Sequence, residues 1–208
     1  MSHSAARTSH PAGSRRRDVL PLDRALDLAR RPWALDVPGQ RLVVRGARPA
    51  DLEAVATMHG RCARSTLLQR YGTGGRAPSL PVLTEMLAQP LVLVVLAGPR
   101  HAVALASVAV GRAPLVEFTA ESSLLVEDAW QRMGIGRTLA GHLGASMRYL
   151  GYGQVTTSSA TVSLPLTRVM EHLGTTRVHA SRSGARITTR LQLSPAEAFA
   201  GGSATVAG

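Results

Sequence analysis

Eight consecutive residues near the middle of the 208-residue chain, Gln131, Arg132, Met133, Gly134, Ile135, Gly136, Arg137 and Thr138, have the types and spacing of an anion site. They follow a β-rich run, Glu121 to Val126, across a short Glu127-Asp128-Ala129-Trp130 connection. They open a segment in which Ile135, Leu139, Leu143, Met147 and Leu150 recur at helical spacing. The start of such a helix presents unpaired N–H groups and the positive end of its dipole. Gly134 and Gly136 carry no Cβ, so phosphate oxygens can approach the backbone closely. Arg132, Arg137 and the Thr138 hydroxyl add hydrogen bonds, the arginine ones charge-assisted. Each charge or dipole contribution is about 0.3–1 kcal/mol, so binding needs several together. The pattern predicts a site suited to a pyrophosphate.

Two well-known phosphate loops do not fit. A dinucleotide fingerprint needs a third glycine where Leu139 stands, and a P-loop needs a lysine. The chain contains no lysine: all 24 basic residues are arginine, asparagine is missing too, and only two isoleucines occur. These biases follow from GC-rich codons, as in a GC-rich bacterium. The formal net charge of +11 therefore reflects codon usage more than a partner. The arginines are scattered rather than clustered, and aromatics make up only 3% of the chain, too few to stack on bases, so no nucleic-acid partner is expected. No apolar run approaches the roughly 18 residues of a membrane span, so no membrane partner is expected either. A lone cysteine, Cys62, excludes an internal disulfide framework and a multi-cysteine metal site. It reads as a small buried hydrophobe, and His59, three residues earlier, finds no further metal ligands nearby.

The elements that must hold the site can be read along the chain. Residues 1–40 form a mostly disordered extension, rich in Ser, Ala and Arg, with a short helix over 23–31. The Ser14-Arg15-Arg16-Arg17 run is followed by no apolar core, so it is no export signal, and a cytoplasmic location is expected. The folded unit spans 41–193 and 194–208 is a flexible tail. Within the unit, strands are expected at Arg41–Arg45, Leu91–Ala97, His101–Val110, Val116–Val126 and Gln154–Ser159. A final hairpin follows, with arms Arg177–Ala180 and Arg186–Leu193. Helices are expected from Pro49 to Met58, near Cys62–Tyr71, at Leu80–Gln89, Gly134–Leu150 and Leu166–Leu173. That order is an α+β, mixed α/β chain: one sheet layered with helices.

With these residues in place, the chain resembles the GNAT acetyltransferase superfamily. Gln131-x-x-Gly134-x-Gly136 after a strand ending Leu125-Val126 is similar to that family's motif A. Arg45-x-Ala-x-Pro49-Ala-Asp51 resembles its opening motif, and the element order matches its plan over 41–193. The resemblance implies a mostly antiparallel sheet, helices on both faces, splayed between its fourth and fifth strands to admit acetyl-CoA as co-substrate, with no metal. It implies that backbone groups of Leu125 and Val126 pair with the pantetheine arm, while Gln131, the N–H groups of Arg132 to Arg137 and Thr138 hold the pyrophosphate. The implied reaction is transfer of acetyl to a primary amine, on a protein or a small molecule. A catalytically silent acyl-CoA sensor or interaction module is the alternative.

Attack of an amine on a thioester requires a deprotonated nitrogen and a stabilised oxyanion. The backbone N–H of Val126 is the expected donor to the oxyanion. By resemblance, Glu121 occupies the position of the general base, and Glu117, on the same strand face, is the second candidate. Either is otherwise a solvated strand carboxylate. The chain departs from the family where the next helix usually carries a pantetheine-binding Asn and an acidic Tyr. Ser163, Thr167 and His172 are the substitutes at hand. Arg61, Arg64, Arg70 and Arg76 lie where the family builds its acceptor surface and read first as a solvated face. The acceptor itself and the choice between monomer and homodimer stay open.

Overall fold

A computed structural model of the chain describes residues 22–72, 74–110, 119–159, 169, 172, 175–183 and 186–193. Its strands are β1 (Trp33–Val37), β2 (Gln40–Gly46), β3 (Leu91–Leu96), β4 (Ala102–Val110), β5 (Thr119–Val126), β6 (Gln154–Ser159), β7 (Thr175–Ser183) and β8 (Arg186–Leu193). The helices are α1 (Leu22–Ala29), α2 (Leu52–Arg61), α3 (Arg64–Tyr71), α4 (Leu80–Leu87) and α5 (Ile135–Tyr149). The strands form one sheet in the order β1-β2-β3-β4-β5-β6-β8-β7. Every neighbouring pair is antiparallel except β5–β6.

The central strand shows why the sheet needs two helical layers. All six residues of β3 are buried, so both of its faces are covered. Leu91, Leu93 and Val95 join the core that holds Ile135, Leu139, Leu143 and Met147 of α5. Val92, Val94 and Leu96 join a second core with Val55 and Met58 of α2, Leu67 of α3 and Leu83 of α4. Helices thus lie on both faces, α5 on one and α2–α4 on the other.

The sheet begins earlier than the sequence suggests. The expected unit starts at Arg41, yet β1 pairs with β2 from Trp33↔Val44 to Val37↔Gln40. The turn between them is Pro38-Gly39, and Gly39 sits at φ 77, a conformation open to glycine. The α1 helix, close to its expected range, also packs into the domain. Ala29 is buried in the α5-side core, and His142 Nε2 donates to the Ala29 carbonyl at 2.8 Å. The helix expected at Leu166–Leu173 falls outside the described residues apart from Val169 and His172. So do Glu117, Ser163 and Thr167, the start of the expected Val116 strand, and the segments 1–21 and 194–208.

The Arg45…Asp51 motif has a local physical cause. The Arg45 guanidinium donates twice to the Asp51 carboxylate, both bonds 2.7 Å, and the Arg48 N–H donates to it at 2.7 Å. These bonds join the end of β2 to the 3-10 turn Pro49–Asp51 that leads into α2. The Arg45 bonds hold the Asp51 carboxyl below its ordinary pKa.

Candidate active site

The parallel ladder between β5 and β6 is short. It runs through Thr119↔Gln154, Ala120↔Val155 and Glu121↔Thr156, leaving Ser122–Val126 without a β6 partner. A cavity of about 460 Å³ lies in the gap. Ser123–Val126 of β5 form one wall, and Thr157 and Ser159 of β6 the other. Thr66, Gln69 and Arg70 of α3 close it on one face, while Arg132, Gly134, Gly136 and Arg137 close it at the start of α5.

The β4–β5 register decides which backbone groups face this gap. The Glu127 N–H donates to the Val103 carbonyl at 3.0 Å, so Glu127 is a hydrogen-bonded position of the ladder. Stepping back by two makes Leu125 another, with its N–H and C=O directed at Leu105. Leu124 and Val126, at the alternate positions, direct theirs toward β6 and the cavity. Of the two backbones expected to meet a bound arm, that of Val126 thus faces the gap and that of Leu125 does not, while that of Leu124 does. Leu125 lines the cavity but has its backbone committed to β4.

The loop before α5 is bent into a concave shape. Arg132 has φ 63, the one described non-glycine residue with positive φ, and Gly134 has φ 82. Alternation of left-handed and ordinary residues turns successive N–H groups toward one point, the geometry of an anion nest. A left-handed arginine costs about 1–2 kcal/mol, a strain that tends to sit at functional sites. The first helical acceptor is the Gly134 carbonyl, bonded by the Thr138 N–H at 3.0 Å. The N–H groups of Ile135, Gly136 and Arg137 thus have no intrahelical partner. Gly134 faces open space, so its backbone angle rather than crowding demands glycine. A Cβ on Gly136 would lie 3.5 Å from Leu124 Cδ2, inside the gap itself.

The other expected residues take distinct places. Gln131 lines the cavity, but its Nε2 donates to the Val126 carbonyl at 3.0 Å, tying the loop to the end of β5. The Thr138 hydroxyl turns back to the Gly134 carbonyl at 3.1 Å. Ile135 is buried in the core and Met133 packs against it, so what they offer the cavity is backbone. Glu121 is exposed, at the last β5–β6 pair, and does not line the cavity. It shares a strand face with Ser123, which does.

The α3 wall joins Arg70, already named for the expected acceptor surface, to Thr66 and Gln69, which were not expected. Thr66, Gln69 and Arg70 occupy positions i, i+3 and i+4, one polar helix face, which is the signal the sequence carried. A network locks this wall to the motif. Arg61 donates to Glu127 through Nε at 2.9 Å and Nη2 at 2.8 Å, and to the Ala102 carbonyl at 2.7 Å. Asp128 accepts the Ala63 N–H at 2.7 Å and the Thr66 hydroxyl at 2.6 Å. Arg61 is thus a structural tie rather than a solvated charge. Cys62 is buried, and burial first of all pushes its thiol up to about 11, consistent with an inert hydrophobe. Among the described residues, no group of three or more potential ligands is placed to hold a metal ion, and no helix is long and apolar enough to cross a membrane.

No family model and no curated protein matches the chain. Solved structures do. The GNAT domain of S. lividans PAT superposes with a TM-score of 0.64 at 15% identity, covering 78% of this chain and 97% of that one. YncA from Salmonella typhimurium, solved with its cofactor acetyl-CoA, gives 0.55 at 22% identity, covering 78% and 98%. The ribosomal-protein-S18-alanine N-acetyltransferase from Escherichia coli gives 0.55 at 17%, covering 76% and 97%. The chain has the fold of the GNAT acetyltransferases.

Proposed function

We propose that the chain is an acyl-CoA N-acetyltransferase that moves acetyl from acetyl-CoA to a primary amine by direct attack, acting in the cytoplasm. The observation that carries this reading is the gap between β5 and β6, with the nest of Arg132–Gly136 at its mouth. The residues fit the group. The backbone of Leu124 and the Val126 N–H offer an extended thioester arm a strand edge, and the first-turn N–H groups of α5 with Arg132 and Arg137 offer a pyrophosphate its donors.

Bound acetyl-CoA supplies the thioester carbonyl. Within the chain, the Val126 N–H is the donor for the charge that grows on the carbonyl oxygen as nitrogen attacks. Glu121, set back from the cavity by two residues along β5, takes the proton from the amine through water. The new C–N bond forms as the C–S bond breaks, and the thiolate leaves as CoA after taking up a proton. Gln131 acts indirectly by fixing the Val126 peptide.

Thiol release from acetyl-CoA, measured over a panel of amines, tests the reading. Release that depends on an added amine supports it. Acetyl-CoA binding with no release on any amine favours the silent sensor instead.

A further inference from the structure

We propose that Ser123 is the hydroxyl that meets the acceptor amine and passes its proton on toward Glu121, with Ser107 positioning it; this rests on the acyl-CoA reading above. Glu121, Ser123 and Leu125 share one face of β5, and Leu125 packs into the core on the side of α2–α4. Leu124 and Val126 point the other way and pack against the α5-side core. Of the first row, Ser123 and Leu125 line the cavity.

The direction of attack selects that face. An arm paired along Leu124 and Val126 lies in the sheet as an added strand would. A thioester carbonyl pointing at the Val126 N–H then has its plane close to that of the sheet, and a nucleophile approaches it from above or below. On the α5 side the first turn of the helix takes the space: the Cβ position of Gly136 is 3.5 Å from Leu124 Cδ2 and 3.8 Å from Val126 Cγ2. The amine therefore comes from the α3 side, where Ser123 lines the cavity.

Burial sets which way the Ser123 hydroxyl points. Ser107 stands opposite it on β4, only 4% exposed, with the two Oγ atoms 2.6 Å apart. Among the described residues Ser123 is the hydrogen-bond partner of the Ser107 side chain, and a buried O–H is donated rather than left unpaired. Ser107 is thus the donor and Ser123 the acceptor, which leaves Ser123 its own proton and one lone pair. The lone pair accepts the amine N–H. The proton points along the strand face to a water bound by Glu121, whose Cα is about 7 Å off at the spacing of alternate strand residues. Leu105 and Ala109, next on the same face of β4, are apolar, so packing there does not itself demand a hydroxyl.

As the N–C bond forms, the amine proton passes to Ser123 Oγ while the proton of Ser123 passes through water to a Glu121 carboxylate oxygen. The C–S bond breaks, the thiolate takes a proton from solvent and Glu121 returns one to it. The products are an amide and the CoA thiol, with the serine unchanged.

Ser123→Thr and Ser123→Val have nearly the same shape and differ by the hydroxyl, so their comparison in the whole chain isolates it. Thiol release is followed with acetyl-CoA and each of L-alaninamide, spermidine and a lysine-containing peptide, from about pH 6 to pH 10. Ser123→Val should lower kcat by about tenfold at neutral pH and by less as pH rises, because hydroxide then removes the proton, while Ser123→Thr keeps most of the activity. Ser107→Ala should lower kcat by about threefold with the same trend. The calorimetric Kd for acetyl-CoA should move by less than about twofold in all three, since backbone meets the arm. Ser123→Val as active as Ser123→Thr, a loss equal at every pH, lost acetyl-CoA affinity, or full kcat in Ser107→Ala overturns the proposal. If Ser123→Val does not fold, Ser123→Ala decides by the same pH trend. Acetyl-CoA binding with turnover on no amine overturns the proposal too, but leaves cofactor binding standing. No acetyl-CoA binding at all overturns the reading beneath it as well.

Discussion

Arg61 of α2 holds both carboxylate oxygens of Glu127, at 2.9 and 2.8 Å, and so joins α2 to the residue that follows β5. Glu127 is almost wholly buried and Arg61 about one-third exposed. Removing one partner leaves the other charge poorly compensated. Arg61→Met should lower stability by about 2 kcal/mol, below the cost of breaking a fully buried pair because solvent reaches the guanidinium. Urea unfolding measures it; a loss under about 0.5 kcal/mol, the range of ordinary surface changes, would show that the tie is ornamental.

Asp51 gives a pH signature. Its folded pKa is lowered, chiefly by the Arg45 bonds, so the ionised form is favoured in the folded chain. That stability is complete above the unfolded value, about 4, and is lost as pH falls through the folded value. Asp51→Asn should therefore destabilise the chain at pH 7 and by a smaller margin at about pH 3. The comparison is between urea midpoints of the two proteins at both pH values. A constant gap would mean the carboxylate charge is irrelevant.

Gly134→Ala isolates backbone strain. At φ 82 with nothing near its Cβ, alanine pays the left-handed cost and no steric one, about 1–2 kcal/mol. Thermal unfolding should show that loss, and Gly134→Asn a smaller one, since asparagine tolerates the region better. Equal stability of all three would place the loop in another conformation in solution.

Glu121→Gln separates binding from chemistry. Acetyl-CoA affinity should stay near that of the unmodified chain, because Glu121 does not line the cavity. Turnover at neutral pH should fall by about 10²–10⁴-fold, the contribution of a general base. Undiminished kcat would move the role to another group.

Much of this frame was legible in the chain itself. The amphipathic period of α5, the unbroken apolar run of β3 and the Gln154–Ser159 strand reflect local rules of burial, and each is found where it was expected. The β1 strand was not, because it is only five residues long with one buried residue, Val37; the Pro38-Gly39 turn was the better signal. The site was legible where one segment builds it, from Arg132 to Gly136. It was illegible where contacts cross the chain. Thr66 and Arg70 reach the cavity only because α3 is held to Asp128 and Glu127 is held to α2, pairings more than sixty residues apart in sequence. The choice of Leu124 over Leu125 depends on ladder register, which hydrophobicity alone does not encode.

The proposed function stands on acyl-CoA occupying the gap between β5 and β6. Calorimetric titration of CoA into the unmodified chain and into Gly136→Leu tests it most directly. Residue 136 sits in the first turn of α5, where leucine is a good helix former, but its side chain would fill the space beside Leu124, Val126 and Val169. Saturable CoA binding by the unmodified chain, abolished in Gly136→Leu while the circular dichroism spectrum is kept, is the predicted result. No binding to the unmodified chain, or equal affinity in the folded variant, would contradict it.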